Sequence, residues 1–287
     1  LLPQATVDEG SAPLVDALFT ATSAVCVTGL VTVDTATYWS GFGQAVILVA
    51  IKIGGLGIMT LASLLGMAVS RRIGLTQRLL TASETKTAQL GEVGSLVRVV
   101  IITSVTLEAA IALVLVPRFL TLGESVGDAL WHGVFYAVSA FNNAGFVSTP
   151  DGLMPYVGDW WMNLPIILGV FIGSLGFPVI LNIARRRTDV GRWSLHTKLT
   201  LTVSGLLVAV GAIAIGSFEW RNPDTFGPLD VPTKILASVF ASVMRPSRTA
   251  SSASATLIRN GSTNSPWSRR APSRRRPRAS HSSIRSS

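Results

Sequence analysis

Two short stretches carry the residue types that could do chemistry in this chain. They are TSAVCVTGL at residues 22–30 and VSAFNNAGF at 138–146. Both place Ser-Ala six positions ahead of a glycine and a Phe four positions ahead of that Ser (Phe19 and Phe135). Nucleophile–base pairs, carboxylate dyads and nucleotide loops do not stand out, so an enzyme is not expected. What the two stretches offer instead is backbone. A short helix that ends in a glycine turn can aim carbonyl oxygens at one point, where they replace the hydration shell of a cation. Glycine serves there because it adopts positive φ and lets chain segments approach an axis closely. On this reading Val27, Thr28 and Gly29, with Asn143, Ala144 and Gly145, contribute mainly carbonyl oxygens.

Such a turn needs a particular setting. Irregular backbone is tolerated at membrane depth only where it is buried in protein or lines a water-filled cavity. The composition supplies a membrane: 48% of residues are hydrophobic, 14% are charged and the mean hydropathy is +0.50, against about a quarter charged in soluble domains. Residues 40–70 hold one charge, Lys52, and residues 99–117 one, Glu108. Residues 160–184 and 199–218 hold none. Roughly 20 mainly apolar residues cross a bilayer, so the expected fold is an all-α polytopic membrane protein. The runs leading into the two motifs, APLVDALFTATSAV and GDALWHGVFYAVSAF, are too short to cross and suit re-entrant helices. Each motif is followed by a long apolar span with its own glycine cluster, IGGLGIM (53–59) or IGSLGFP (172–178). Gly57 lies 28 residues after Gly29 and Gly176 lies 31 after Gly145. Gly54, Gly55, Gly57, Gly173 and Gly176, with Lys52, are the pore-lining or gating candidates. The recurring order implies a repeated unit of helix, pore loop and helix.

Charge sets the orientation. Basic residues gather at 71–98 and 185–198, whereas the segments bearing the motifs are acidic, with Asp8, Glu9, Asp16 and Asp34, then Glu124, Asp128, Asp151 and Asp159, then Glu219, Asp224 and Asp230. By the positive-inside rule the basic linkers face the cytoplasm and the motif loops face outside. Linker 71–98 reads either as interfacial or cytosolic helices or as a solvated connector. The formal charge of +9 resides in the tail: from residue 245 onward there are ten Arg and no acid, and the remainder has 14 basic against 15 acidic residues. The single Cys26 excludes an internal disulfide framework. His132 and His196 lack metal-ligand spacing and read as interfacial. The opening LLPQATVDEGSAPLVD has no initiator Met, basic start or apolar core, so a signal peptide is not expected there, and its acidic character suggests an internal start.

DALFTATSAVCVTGL with IGGLGIMTLA, SAFNNAGF with IGSLGFPVI, and HTKLTLT at 196–202 resemble the Trk/Ktr/HKT superfamily of potassium transporters. The resemblance covers about residues 13–244. It implies four helix–pore-loop–helix repeats around one pore, each with a filter glycine, Gly29 and Gly145 matching the first two. It further implies transported K+ (or Na+) with no other cofactor, a homodimer in the cell membrane, and a cytosolic nucleotide-binding regulatory subunit. The expected divisions are repeat 1 at 1–70 without its first span, a linker at 71–98, repeat 2 at 99–186, a linker at 187–198, the start of repeat 3 at 199–244, and a tail at 245–287. Two departures stand out. After RTA at 248–250, Ser251 stands where the family has the third filter glycine. The Arg/Ser-rich tail reads either as a polybasic segment for nucleic acid or anionic lipid, or as out-of-frame translation, which its start inside an expected pore loop favours. The first option supports an alternative function, a non-conducting membrane protein whose tail binds such partners. The second departure is Lys52, where the family has a neutral polar residue, often Gln. A mid-span Lys costs about 2.5–3.5 kcal/mol on insertion scales, so it faces water or pairs with a carboxylate, for which Glu108 is the nearest intramembrane candidate.

Overall fold

The computed structural model describes residues 2–8, 10–72, 89–186, 191, 193–223 and 225–244. Most of linker 71–98, part of linker 187–198 and the whole Arg-rich tail lie outside these residues. The described chain is helical, with one isolated bridge between Thr6 and Trp39. In chain order the helices are α1 (Leu14–Val25), α2 (Gly41–Arg72), α3 (Gln89–Thr121), α4 (Val126–Phe141), α5 (Trp160–Ser174), α6 (Phe177–Arg186), α7 (Leu195–Glu219) and α8 (Val231–Met244). A one-turn helix, Thr35–Tyr38, precedes α2.

Among the described residues, three helices are long and apolar enough to cross a membrane, through Gly41–Ile58, Val97–Thr121 and Leu195–Glu219. Helices α5 and α6 make a fourth crossing only if the bent pair is taken as one. The apolar run 160–184, long enough to cross as one helix, turns by 104° between Ser174 and Phe177. The cause is local. Pro178 has no N–H to give the preceding turn and its ring would crowd the carbonyl four residues back, and Gly176 takes φ +80° to make the corner. Its counterpart Gly57, with no proline after it, stays inside the continuous helix α2. Helix α3 also starts earlier than its apolar stretch, at Gln89.

Helix α4 is the inner piece, and α1 is a short helix laid against α2 with Thr20, Ser23 and Ala24 as its buried residues. Helix α4 is packed by α2, α3 and α5, and α1 by α2. Nine of the sixteen residues of α4 are buried, which only a helix surrounded by other helices can achieve. Two apolar clusters hold this arrangement. One joins Leu115 and Phe119 of α3, Tyr136 and Ala140 of α4, Met162, Ile166 and Val170 of α5, and Leu236 and Met244 of α8. The other joins Ala24 of α1, Ile47 and Ile51 of α2, Phe135 and Val138 of α4, and Ala144 and Phe146 beyond it. The paired phenylalanines of the motifs differ here, for Phe135 is fully buried while Phe19 is exposed.

Side-chain caps set where the helices begin. The Asp34 carboxylate accepts from Ala36 and Thr37 N–H, Ser125 Oγ from Asp128 N–H, and Ser194 Oγ from Thr197 N–H. Asp159 caps α5 by accepting from Trp161 N–H at 3.0 Å, and its other oxygen takes Arg118 Nε at 2.6 Å, tying α5 to the end of α3. Asp159→Ala removes both. A lost cap costs about 0.5–2 kcal/mol, and the partly exposed ion pair adds less. We expect unfolding of the purified protein to shift to lower temperature by this modest amount, with no change at the α1 and α4 ends.

Candidate functional site: paired turns at the ends of two short helices

Helices α1 and α4 end in the same way. After α1, Thr28 N–H donates to Ser23 O at 2.9 Å and Val27 N–H to Ala24 O at 3.2 Å. After α4, Ala144 N–H donates to Ser139 O at 2.8 Å and Asn143 N–H to Ala140 O at 3.0 Å. This crossed pair of bonds is the Schellman termination, which needs a left-handed residue just past the cap. Val27 (φ +53°) and Asn143 (φ +57°) occupy that position. For Asn the conformation is common; for the β-branched Val it is strained. Two residues later Gly29 (φ +70°) and Gly145 (φ +77°) are left-handed again. The Ser of each motif secures its turn a second time. Ser23 Oγ and Thr28 Oγ1 share a hydrogen bond at 2.9 Å, and Ser139 Oγ donates to Phe146 O at 2.7 Å.

The two turns meet. A Cβ added to Gly29 would lie 2.5 Å from the carbonyl oxygen of Ala144 and 3.4 Å from Gly145 Cα. Gly29, Ala144 and Gly145 are all buried. The glycine clusters of the following spans are matched too, though not in the manner the sequence offsets suggest. Gly54 lets α2 close on the Val25 carbonyl at the end of α1, and Gly173 lets α5 close on the Phe141 carbonyl at the end of α4. A Cβ at either would overlap that oxygen. Gly57, three residues on, faces open space, and its counterpart Gly176 makes the corner between α5 and α6. These last two do not line the turns through close contact.

Lys52 and Glu108 come together. Lys52 Nζ lies 2.6 Å from both carboxylate oxygens of Glu108 and 2.6 Å from Ser104 Oγ. The lysine side chain is 23% exposed and the glutamate 8%. Ser104 Oγ also donates to Glu108 Oε1 at 3.0 Å. Asn142, the cap residue of α4, donates through Nδ2 to the same Oε1 at 2.9 Å and to Val138 O at 2.8 Å. Gly55 lies against Asn142, since a Cβ there would overlap Asn142 Oδ1. Burial of both charges is thus met by pairing and further hydrogen bonds, the condition under which buried charges are retained.

Two further side chains of α4 have structural partners. Trp131 Nε1 donates to Gln44 Oε1 at 2.9 Å, joining α4 to the start of α2. His132 lies within α4, half-buried and hydrogen-bonded to Ser148 Oγ at 2.8 Å, and so is held more firmly than an interfacial residue. His196 is exposed at the start of α7. In the loop before α4, burial and the neighbouring Asp128 push the Glu124 carboxyl above its ordinary value. No cluster of metal-ligating side chains exists among the described residues. Ser23, Ser139, Ser104 and Asn142 are the members of this site that the sequence reading did not single out. The signal for the first two lies in the Ser that recurs six positions before each glycine.

Against known proteins, the cation transport protein family TrkH matches residues 2–245, a stretch that includes both turns and every described helix. The chain belongs to the TrkH family. Among its relatives, the Ktr system potassium uptake protein B of Bacillus subtilis is 43% identical over 233 residues, covering 80% of this chain and 51% of that protein. The Ktr system potassium uptake protein D of the same organism is 34% identical over 76% of this chain and 49% of its own length. The potassium/sodium uptake protein NtpJ of Enterococcus hirae is 34% identical over 75% of this chain and 50% of its own. This TrkH-family chain therefore spans about half the length of the curated relatives it matches. The family is one of cation transporters in membranes, not of enzymes.

Proposed function

We propose that this chain carries two cation-lining turns of a Ktr-type potassium transporter, together with the start of a third unit in α7 and α8. K+ passes between residues 27–29 and 143–145, with backbone carbonyls replacing its water, and Na+ is the competing cargo. One observation carries the reading: two turns of the same hydrogen-bonded design, each ending in a left-handed glycine, meet with Gly29 directly against the Ala144 carbonyl. The relatives support the cargo, since those named above are potassium or potassium/sodium uptake proteins. The basic linkers face the cytoplasm and the turns face outward in the cell membrane, as the loop charges favour. A second copy of the chain and a cytosolic nucleotide-binding regulatory subunit are its partners, as the resemblance implies.

The test is a chimera in which residues 2–244 of this chain replace the matched half of the Bacillus subtilis protein B. In cells lacking their own potassium uptake, the chimera is expected to restore growth at low potassium. A well-expressed, membrane-inserted chimera that gives no growth and no Rb+ uptake would refute the reading.

A further inference from the structure

We propose that the Lys52–Glu108 pair is a positioning device for the second turn, so that both residues determine ion preference by acting through Asn142. The inference rests on the reading of residues 143–145 as cation-lining. Asn142 is the residue immediately before those three, and its side chain is confined at both ends of its amide. Nδ2 is committed to Glu108 and to Val138 O, while the Gly55 face of α2 closes over Oδ1. Glu108 is in turn confined by the Lys52 ammonium, which touches both of its oxygens, and by Ser104. A chain of contacts therefore runs from α2 through α3 to the cap of α4 and the backbone that turns at Asn143.

Among the described residues, the place of Asn142 in the first turn is held by Cys26, which is exposed. The pair acts where α2 of the first unit meets α3 and α4 of the second. A bond of charge to charge holds its geometry more tightly than a neutral contact. Loosening it frees Asn142 and lets the carbonyls of 143–145 move, and the spacing and freedom of such carbonyls govern which cation they favour.

Two measurements test this. The first is amide hydrogen exchange of the full chain in nanodiscs. Glu108→Gln should raise exchange at Asn143 and Ala144, whose N–H groups are hydrogen-bonded, by about tenfold or more, leaving Val27 and Thr28 unchanged. Lys52→Gln combined with Glu108→Gln, a neutral hydrogen-bonding pair, should restore protection. Unchanged exchange, or equal loosening of both turns, would overturn the proposal. The second is the Rb+-over-Na+ preference of the chimera, expected to fall by roughly fivefold or more in Glu108→Gln and to recover in the double variant. A preserved ratio at reduced uptake would mean a merely structural pair. If the unsubstituted chimera does not transport, the functional reading fails, and the exchange measurement alone still decides whether the brace exists.

Discussion

Gly29→Ala is expected to abolish Rb+ uptake by the chimera, a fall of two orders of magnitude or more. Two costs act at once. An L-residue in the left-handed region costs about 1–2 kcal/mol, and Gly29 stands at φ +70°. The added Cβ would also lie 2.5 Å from the Ala144 carbonyl oxygen. Neither atom can swing away, because both are fixed to backbone, so one turn must shift. A misplacement worth about 3 kcal/mol at oxygens that replace a hydration shell corresponds to roughly a hundredfold in rate. Gly145→Ala should be impaired through its φ of +77°. Gly57→Ala is the control: it lies in a continuous helix, has nothing within 4 Å of a new Cβ, and should be neutral or slightly stabilising, by at most about 1 kcal/mol.

The second large effect is on stability. Glu108→Leu strands the Lys52 ammonium inside the helical bundle with the Ser104 hydroxyl as its remaining partner among the described residues. Breaking one side of a buried ion pair typically costs about 3–5 kcal/mol, because the surviving charge is uncompensated. Lys52→Leu should cost less, since Glu108 keeps Ser104 and Asn142 as donors. Removing both charges as Lys52→Leu with Glu108→Leu should recover much of the loss, giving a coupling of about 2 kcal/mol or more in a double-mutant cycle. Thermal unfolding of the purified chain and its three variants reads this. Additive losses would mean that the two side chains do not act on each other.

The turns were legible in the sequence because one spacing of Phe, Ser and Gly recurs in both motifs. Ser-Ala six residues before Gly, twice, encodes the Schellman bonds and the hydroxyl that reinforces them, although only the glycine's part was read. The spans were legible because apolar length is a direct consequence of bilayer thickness. The corner at Gly176 was written in the sequence as Gly-Phe-Pro, yet the matching offset of Gly57 and Gly176 disguised it as symmetry. Offsets record descent along the chain; which glycine meets a carbonyl depends on helix rotation, and that selects Gly54 and Gly173. The meeting of Lys52 with Glu108 was only a matter of plausible partners from spacing, because 56 residues separate them and the path between them crosses residues outside those described. Asn142 was missed for a related reason. Beside Asn143 it looks like part of the turn, whereas its side chain points back to α3.

The central claim is that one cation pathway runs between residues 27–29 and 143–145. Thallium anomalous diffraction from crystals of the chimera tests it most directly, since Tl+ substitutes for K+ and its position is seen rather than inferred. We predict an anomalous peak in contact with carbonyl oxygens of both turns. Peaks confined to other parts of the molecule, with none beside these turns, would contradict the account.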